Sequence, residues 1–354
     1  MEESFWGGPI IILSEQTAFS RTVPRELVHR AAIAEVYLTS FSQTGEDEFE
    51  ISAQWPRSHM FYRTLNGAVD SALLTETFRQ ATVLVAHLGY AVPLEHSFLM
   101  PNMQVTRCED YLGSGDRPAE LRLKLSAVEV RRTPKSVVGL RVDGTFTCDG
   151  RLIGRASAGA RIIDPRSYFR YRNRHREAAA AAHRMVAVEP SRVGVTTHSG
   201  VLLVHSAGND NWPLRVDVTH PVYFDHTLDH VPGTVLLEAA RQAIRLKVND
   251  PNLDFSELRA SFHSIAELDQ IQTVTALTAP SSDGITDTWT VTIQSNEETH
   301  MTATFARVHS DVSPMGPRVS DSPNSPYRGA TKERCSGGED PTSGEPAPER
   351  RLGR

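Results

Sequence analysis

The sequence predicts an α+β protein built from two copies of one unit in tandem, each unit a central helix wrapped by antiparallel strands. Three observations carry this. A hexad, Glu-x-x-Arg-Gln-Ala, occurs at Glu76–Ala81 and again at Glu238–Ala243. Aligning Ser52–Tyr62 with Pro213–Tyr223 sets His59 on His220 and Tyr62 on Tyr223, with one more residue between histidine and glutamate in the second half. Each half then runs in the same order, strand-like material, one helix and a run of strands, and such an internal repeat decides the architecture.

The elements follow from periodicity. Leu74, Phe78, Ala81, Val85 and Leu88 fall at helical spacing, as do Leu236, Ala240, Ala243 and Ile244. Leu121–Val130 and Ser136–Ile163 are rich in Val, Leu, Ile and Thr, and Asp149-Gly150 has hairpin-turn chemistry, with Asp143-Gly144 as a rival turn. In the second half, Gln272–Thr278, Thr288–Ile293 and His300–Val308 repeat the pattern around a polar turn at Asn296–Glu298. A long helix followed by a meander points to a sheet wrapped on a helix. The expected organisation is an extension over 1–22, a first repeat over 23–165, a basic linker over 166–189, a second repeat over 190–309 and a disordered tail over 310–354. The tail is assigned from its Pro, Ser and Gly content and lack of large apolar residues.

Composition bounds the function. With 354 residues, 39% hydrophobic and 23% charged, the chain has the make-up of a globular protein large enough for two cores. Its 37 Lys and Arg against 43 Asp and Glu give a net charge of −6, so no nucleic-acid partner is expected from overall charge. Cys108, Cys148 and Cys335 form neither a disulfide framework nor a C-x-x-C metal site, which suits a reducing cytoplasm. The apolar run Pro9–Leu13 is too short for a signal peptide, and no window is long enough to cross a membrane. The one basic stretch, Arg166, Arg170, Arg172, Arg174 and Arg176, reads either as a solvated linker helix or as a surface that steers an acidic partner.

The chemistry concentrates in His220–Ala243, where a His-rich loop, Phe224-Asp225-His226, leads through Pro232-Gly233 into an apolar helix carrying Glu238 and Arg241. A buried carboxylate needs a partner or a proton. Glu238 with Arg241, and Glu76 with Arg79, can be intrahelical ion pairs at i and i+3. They can equally be an acid–base group beside a cation that holds an anionic substrate. His226 and His230 alternate with Asp225 and Asp229, but Pro232 ends any helix that would align them on a metal, so none is expected. His59 and His220 read as structural. Gly154–Gly159 is one residue too long for a nucleophile elbow, and no phosphate-cradling glycine loop is present.

These residues carry a resemblance. The Phe-Asp-His loop with Pro-Gly-x-x-x-x-Glu resembles hot-dog-fold acyl-ACP dehydratases, with a His-to-Pro spacing two residues shorter. Val28-His29-Arg30, Glu35-Val36, Trp55–His59 and both Glu-x-x-Arg-Gln helices together resemble the A-factor biosynthesis family, γ-butyrolactone synthases of tandem hot-dog architecture. The resemblance implies a double hot-dog fold and a cytoplasmic acyltransferase without cofactor. It would move a 3-oxoacyl chain from acyl carrier protein to a hydroxyl of dihydroxyacetone phosphate. It further implies a composite site in which His226 meets Glu76 and Arg79. There His226 or Glu76 is the general base, Gly233 the thioester polariser and Arg79 the phosphate ligand, with Glu238 and Arg241 maintaining the pocket. The opposite site would set Glu238 and Arg241 against Arg57, His59 and Arg63, and the two sites should be unequal. A dehydratase or thioesterase, and a non-catalytic acyl-binding module, are the alternative readings.

Overall fold

In a computed structural model, residues 18–62, 64–65, 68–108, 117–172, 185–206, 210–279 and 286–308 are described. The expected tail, most of the N-terminal extension and linker residues 173–184 lie outside them. A hairpin of β1 (Leu38–Gly45) and β2 (Glu48–Trp55) opens the first repeat, followed by a short ribbon of β3 (Thr64–Leu65) and β4 (Ala68–Val69). Then come helix α1 (Ser71–Leu84), β5 (Ser97–Arg107), β6 (Ala119–Arg132), β7 (Val137–Cys148) and β8 (Arg151–Ile163). Helix α2 (Pro165–Arg172) begins the linker, and the short α3 (Pro190–Val193) and β9 (Asn211–Pro213) begin the second repeat. Helix α4 (Gly233–Val248), β10 (Glu257–Phe262), β11 (Thr273–Ala279), β12 (Thr286–Ser295) and β13 (Glu298–Val308) complete it.

Among the described residues one antiparallel sheet of eleven strands runs β1-β2-β6-β7-β8-β5-β10-β13-β12-β11-β9. Read outward from its centre, the order on one side repeats that on the other. The halves join where β5 pairs with β10, Gln104 opposite Arg259 and Met103 opposite Ala260. Neither joining strand was foreseen. Six of the eleven residues of β5 before Met103 are only half-buried, Pro101 cannot donate to a ladder, and the β5–β8 register shifts between Leu99 and Asn102. Its strand state is set by the other repeat, not by alternation in its own sequence.

Both central helices are buried on nearly every side. In α1, Thr75, Thr77 and Thr82 return their hydroxyls to the carbonyl one turn back, so polar side chains sit inside without orphaned donors. Gly144 is strand, not turn. A Cβ there would lie 2.4 Å from Leu125 and 2.9 Å from Phe78, so the glycine admits the ring that α1 presses into the sheet. The hairpin turns instead at Asp149-Gly150, both residues at positive φ.

Part of the repeated hexad is architecture. Gln80 accepts from Tyr37 N and donates to Glu35 O, while Gln242 accepts from Leu202 N and donates to Gly200 O. Each glutamine thereby satisfies the backbone of the segment that opens its own repeat. The aligned histidines are structural in the same sense, His59 Nδ1 accepting from Phe61 and Tyr62 N–H and His220 Nδ1 from Val222 and Tyr223 N–H.

Candidate functional site

Each hexad glutamate is buried and ion-paired to the arginine one turn on, Arg79 Nη2 to Glu76 at 2.8 Å and Arg241 Nη1 to Glu238 at 2.7 Å. Beyond that the two environments diverge. Glu76 also receives Arg30 at 2.6 Å and Gln80 at 2.8 Å. Burial works to raise its pKa, but the charges of Arg30 and Arg79 and the bonds from Arg79 and Gln80 outweigh it and hold the carboxyl down to about 2. The group is an anchored anion, a weak base at neutral pH.

Arg241 reaches across to the first repeat. Its Nη2 lies 2.6 Å from Asp70 and 3.2 Å from Asp254, and Asp254 also takes the Ser71 hydroxyl at 2.7 Å. Asp70 is the N-cap of α1 and accepts from Ala72 N at 2.9 Å, and Ser71 N reaches Asp254 at 3.3 Å. Two carboxylates thus bridge the first amides of α1 and the arginine of α4. The space that remains is about 40 Å³. Neither Arg57, which is exposed, nor His59, which bonds Glu35, enters this site as expected, and Arg63 lies outside the described residues.

The counterpart is open. Pro232 and Gly233 stand where α1 has Asp70 and Ser71, and no side chain caps α4. Its first amides and Arg79 border a cavity of about 340 Å³. Leu99, Phe98 and Phe262 give it apolar walls, and Gly233 lies so close to Phe262 that a Cβ there would stand 3.1 Å from the ring, which would have to shift slightly. Arg79 keeps 21% of its side chain exposed against 4% for Arg241. Tyr223 lies between the two spaces and lines both, its buried hydroxyl without a hydrogen-bond partner among the described residues and nearest the charges of Glu238 and Arg241.

His226 enters this cavity from the second repeat, so His226, Arg79 and the start of α4 border one space, while Glu76 stands behind Arg79. The His226 Nδ1 lies 2.6 Å from Asp225, which leaves Nε2 as the free ring nitrogen. Asp225 is held by Ala31 N at 2.9 Å and faces Arg30 at 3.6 Å. Despite burial, which works to raise its pKa, the bond from His226 and the charge of Arg30 lower it. Arg30 is the joint that sequence reasoning missed, since it touches Glu76, Asp225 and the Val222 carbonyl at once. The only sequence signal was its place in Val28-His29-Arg30.

His29 is a second unforeseen wall residue. It takes a left-handed conformation at φ 52°, and its Nε2 meets that of His87 at 3.0 Å on the π-helical turn Val85–Gly89. Burial, then the nearby charges of His87, Arg79 and His226, push its pKa down to about 4, so the ring is neutral at neutral pH. The basic linker also departs from expectation. Arg172 turns inward to Glu267 and Asp229, leaving Arg166 and Arg170 exposed, while Arg174 and Arg176 lie outside the described residues.

Two outcomes follow. Arg241→Met strands three carboxylates in the interior and lowers stability by about 3–5 kcal/mol in urea denaturation, whereas Arg79→Met, at the cavity wall, costs clearly less. For His29, a folded pKa below the unfolded value near 6.5 means that the unfolded chain binds the proton first as pH falls. Its contribution is present above about pH 6.5 and lost toward pH 4, on the order of 3 kcal/mol. His29→Asn should flatten the fall in melting temperature over that window, and an unchanged slope would exclude the assignment.

Residues 13–164 and 177–309 match the family described as the A-factor biosynthesis hotdog domain. A 2-oxo-3-(phosphooxy)propyl 3-oxoalkanoate synthase of Streptomyces virginiae is 38% identical over 264 residues, covering 74% of this chain and 89% of the relative. One of the same name from Streptomyces coelicolor is 37% identical, covering 65% and 73%. Among solved structures, the 12:0-ACP thioesterase of Umbellularia californica aligns with a TM-score of 0.44 at 11% identity, over 76% of this chain and all of that one, 100%. Two family-matched segments that coincide with two sheet-and-helix halves leave one assignment: the chain belongs to the A-factor biosynthesis hotdog domain family.

Proposed function

We propose that the protein is an acyltransferase that moves a 3-oxoacyl group from an acyl carrier protein thioester to a hydroxyl of dihydroxyacetone phosphate. The observation that carries this reading is the inequality of the two sites. At one, the amides of α1 and Arg241 are occupied by Asp70 and Asp254. At the other, the amides of α4 and Arg79 border an open cavity. Donors of this kind favour negative charge, and a phosphorylated acceptor attacking a thioester brings two such groups, a phosphate and a developing oxyanion. The family relatives carry the name of a synthase whose product joins a phosphooxypropyl group to a 3-oxoalkanoate, which matches those demands.

In this reading His226 is the general base. Asp225 occupies Nδ1, so Nε2 accepts the proton of the acceptor hydroxyl as its oxygen attacks the thioester carbon. The Gly233 and Thr234 amides stabilise the oxyanion. Arg79 holds the phosphate. Glu76 positions Arg79 and Arg30, and Glu238 with Arg241 closes the second site and ties the repeats together. Phe98, Leu99 and Phe262 take the acyl chain.

The test is to incubate the protein with a 3-oxoacyl carrier protein, with and without dihydroxyacetone phosphate. The expected product is the phosphorylated ester, formed only with the acceptor. Free acid formed at the same rate without acceptor would make the protein a thioesterase, and binding without turnover a carrier of acyl ligands. His226→Ala should lose activity by about 10²- to 10⁴-fold with its melting temperature intact.

A further inference from the structure

The loop that carries His226 repeats itself. Asp225-His226 is followed by Asp229-His230, and the second pair copies the first, His230 Nδ1 lying 2.7 Å from Asp229. Both imidazoles line the same cavity with Nε2 as the free nitrogen. Their supports differ. Asp225 is held by Ala31 and Arg30 of the first repeat, whereas Asp229 is held by the linker helix α2, accepting from Tyr168 Oη and Arg172 Nε, each at 2.9 Å. Arg172 also grips the Asp229 carbonyl at 2.6 Å and Glu267 at 2.7 Å, with only 7% of its side chain exposed. A buried arginine shared by two carboxylates is costly unless its geometry is fixed, so it fixes whatever it holds. What it holds is the backbone and side chain beneath His230.

The two histidines also serve different parts of the cavity. His226 and Arg79 each lie close enough to His29 for their charges to act on its ring. His230 sits beside α2, whose Tyr171 borders the cavity while 56% exposed; His230 itself is 21% exposed and His226 43%, so the cavity is open to solvent along both rings. A carrier-bound donor arm enters from solvent, and one that passes along α2 brings its sulfur to His230 when the acyl chain is inside.

We propose that His230 is a second catalytic residue, the proton donor to the departing thiol, and that Asp229 and Arg172 are its positioning residues. The step rests on the acyl-transfer reading above and balances as follows. The acceptor hydroxyl gives its proton to His226 Nε2 as the C–O bond forms. Collapse of the tetrahedral intermediate breaks the C–S bond, the electron pair goes to sulfur, and His230 Nε2–H delivers a proton there. His226 is left protonated and His230 neutral, and exchange with water restores both.

Leaving-group chemistry tests this in the full chain. Wild type, His230→Gln, Asp229→Asn and His226→Gln are each assayed with dihydroxyacetone phosphate and two donors, a 3-oxoacyl pantetheine thioester and the matching thiophenyl thioester. Thiophenolate leaves without needing a proton. His230→Gln should therefore lose about 10²-fold or more in kcat with the pantetheine donor and far less with the thiophenyl donor. Asp229→Asn should show the same selectivity more weakly. His226→Gln should fall with both donors, because the alcohol proton is common to them. Equal losses of His230→Gln with both donors, or no loss with either, overturn the proposal while leaving the transfer reading in place. Wild type that forms no ester from either donor overturns the transfer reading itself.

Discussion

The N-terminus of α1 meets the arginine of α4, and the N-terminus of α4 borders one cavity with the arginine of α1; positive groups gathered in a protein interior favour negative charge between them. At the start of α1 the protein supplies it, with Asp70 and Asp254 bridging Ser71 N, Ala72 N and Arg241. At the start of α4 it does not. Pro232 and Gly233 bring no carboxylate, and Arg79 stays partly exposed on an open wall. Burial, exposure and the choice of working cavity follow from which of these two places carries its own anions.

The same constraint accounts for the roles of the glutamates. Glu76 is saturated by Arg30, Arg79 and Gln80, which costs it basicity and leaves it to set the angle of Arg79. In the proposed transfer, base chemistry then falls to His226, which is backed by Asp225 and borders the open cavity. Because Asp225 leans on Arg30 and Ala31, the His226 loop of one repeat is held by the other. The site is therefore a product of the fusion, assembled only when both halves are folded against each other.

Much of this was legible in the sequence because local rules governed it. The hexad helices, strands β6 to β8 and the Asp149-Gly150 turn follow from periodicity and turn chemistry. What was not legible depends on distant partners. β5 is a strand because β10 and β8 pair with it, Gly144 is strand because Phe78 needs the space, and Arg172 points inward because Glu267 and Asp229 await it. Arg30 lies before the first strand and gives no sign that it joins Glu76 to the loop around Asp225. Asp254, which completes the plug, precedes β10 and meets its partners Ser71 and Arg241 only in the folded chain.

The most direct measurement of the central claim is the stoichiometry with which the full chain binds dihydroxyacetone phosphate in a calorimetric titration. One open and one self-filled anion site predict a single equivalent per chain, lost when Arg79 is replaced by methionine. Two equivalents per chain, or a single equivalent that survives loss of Arg79, would contradict the account.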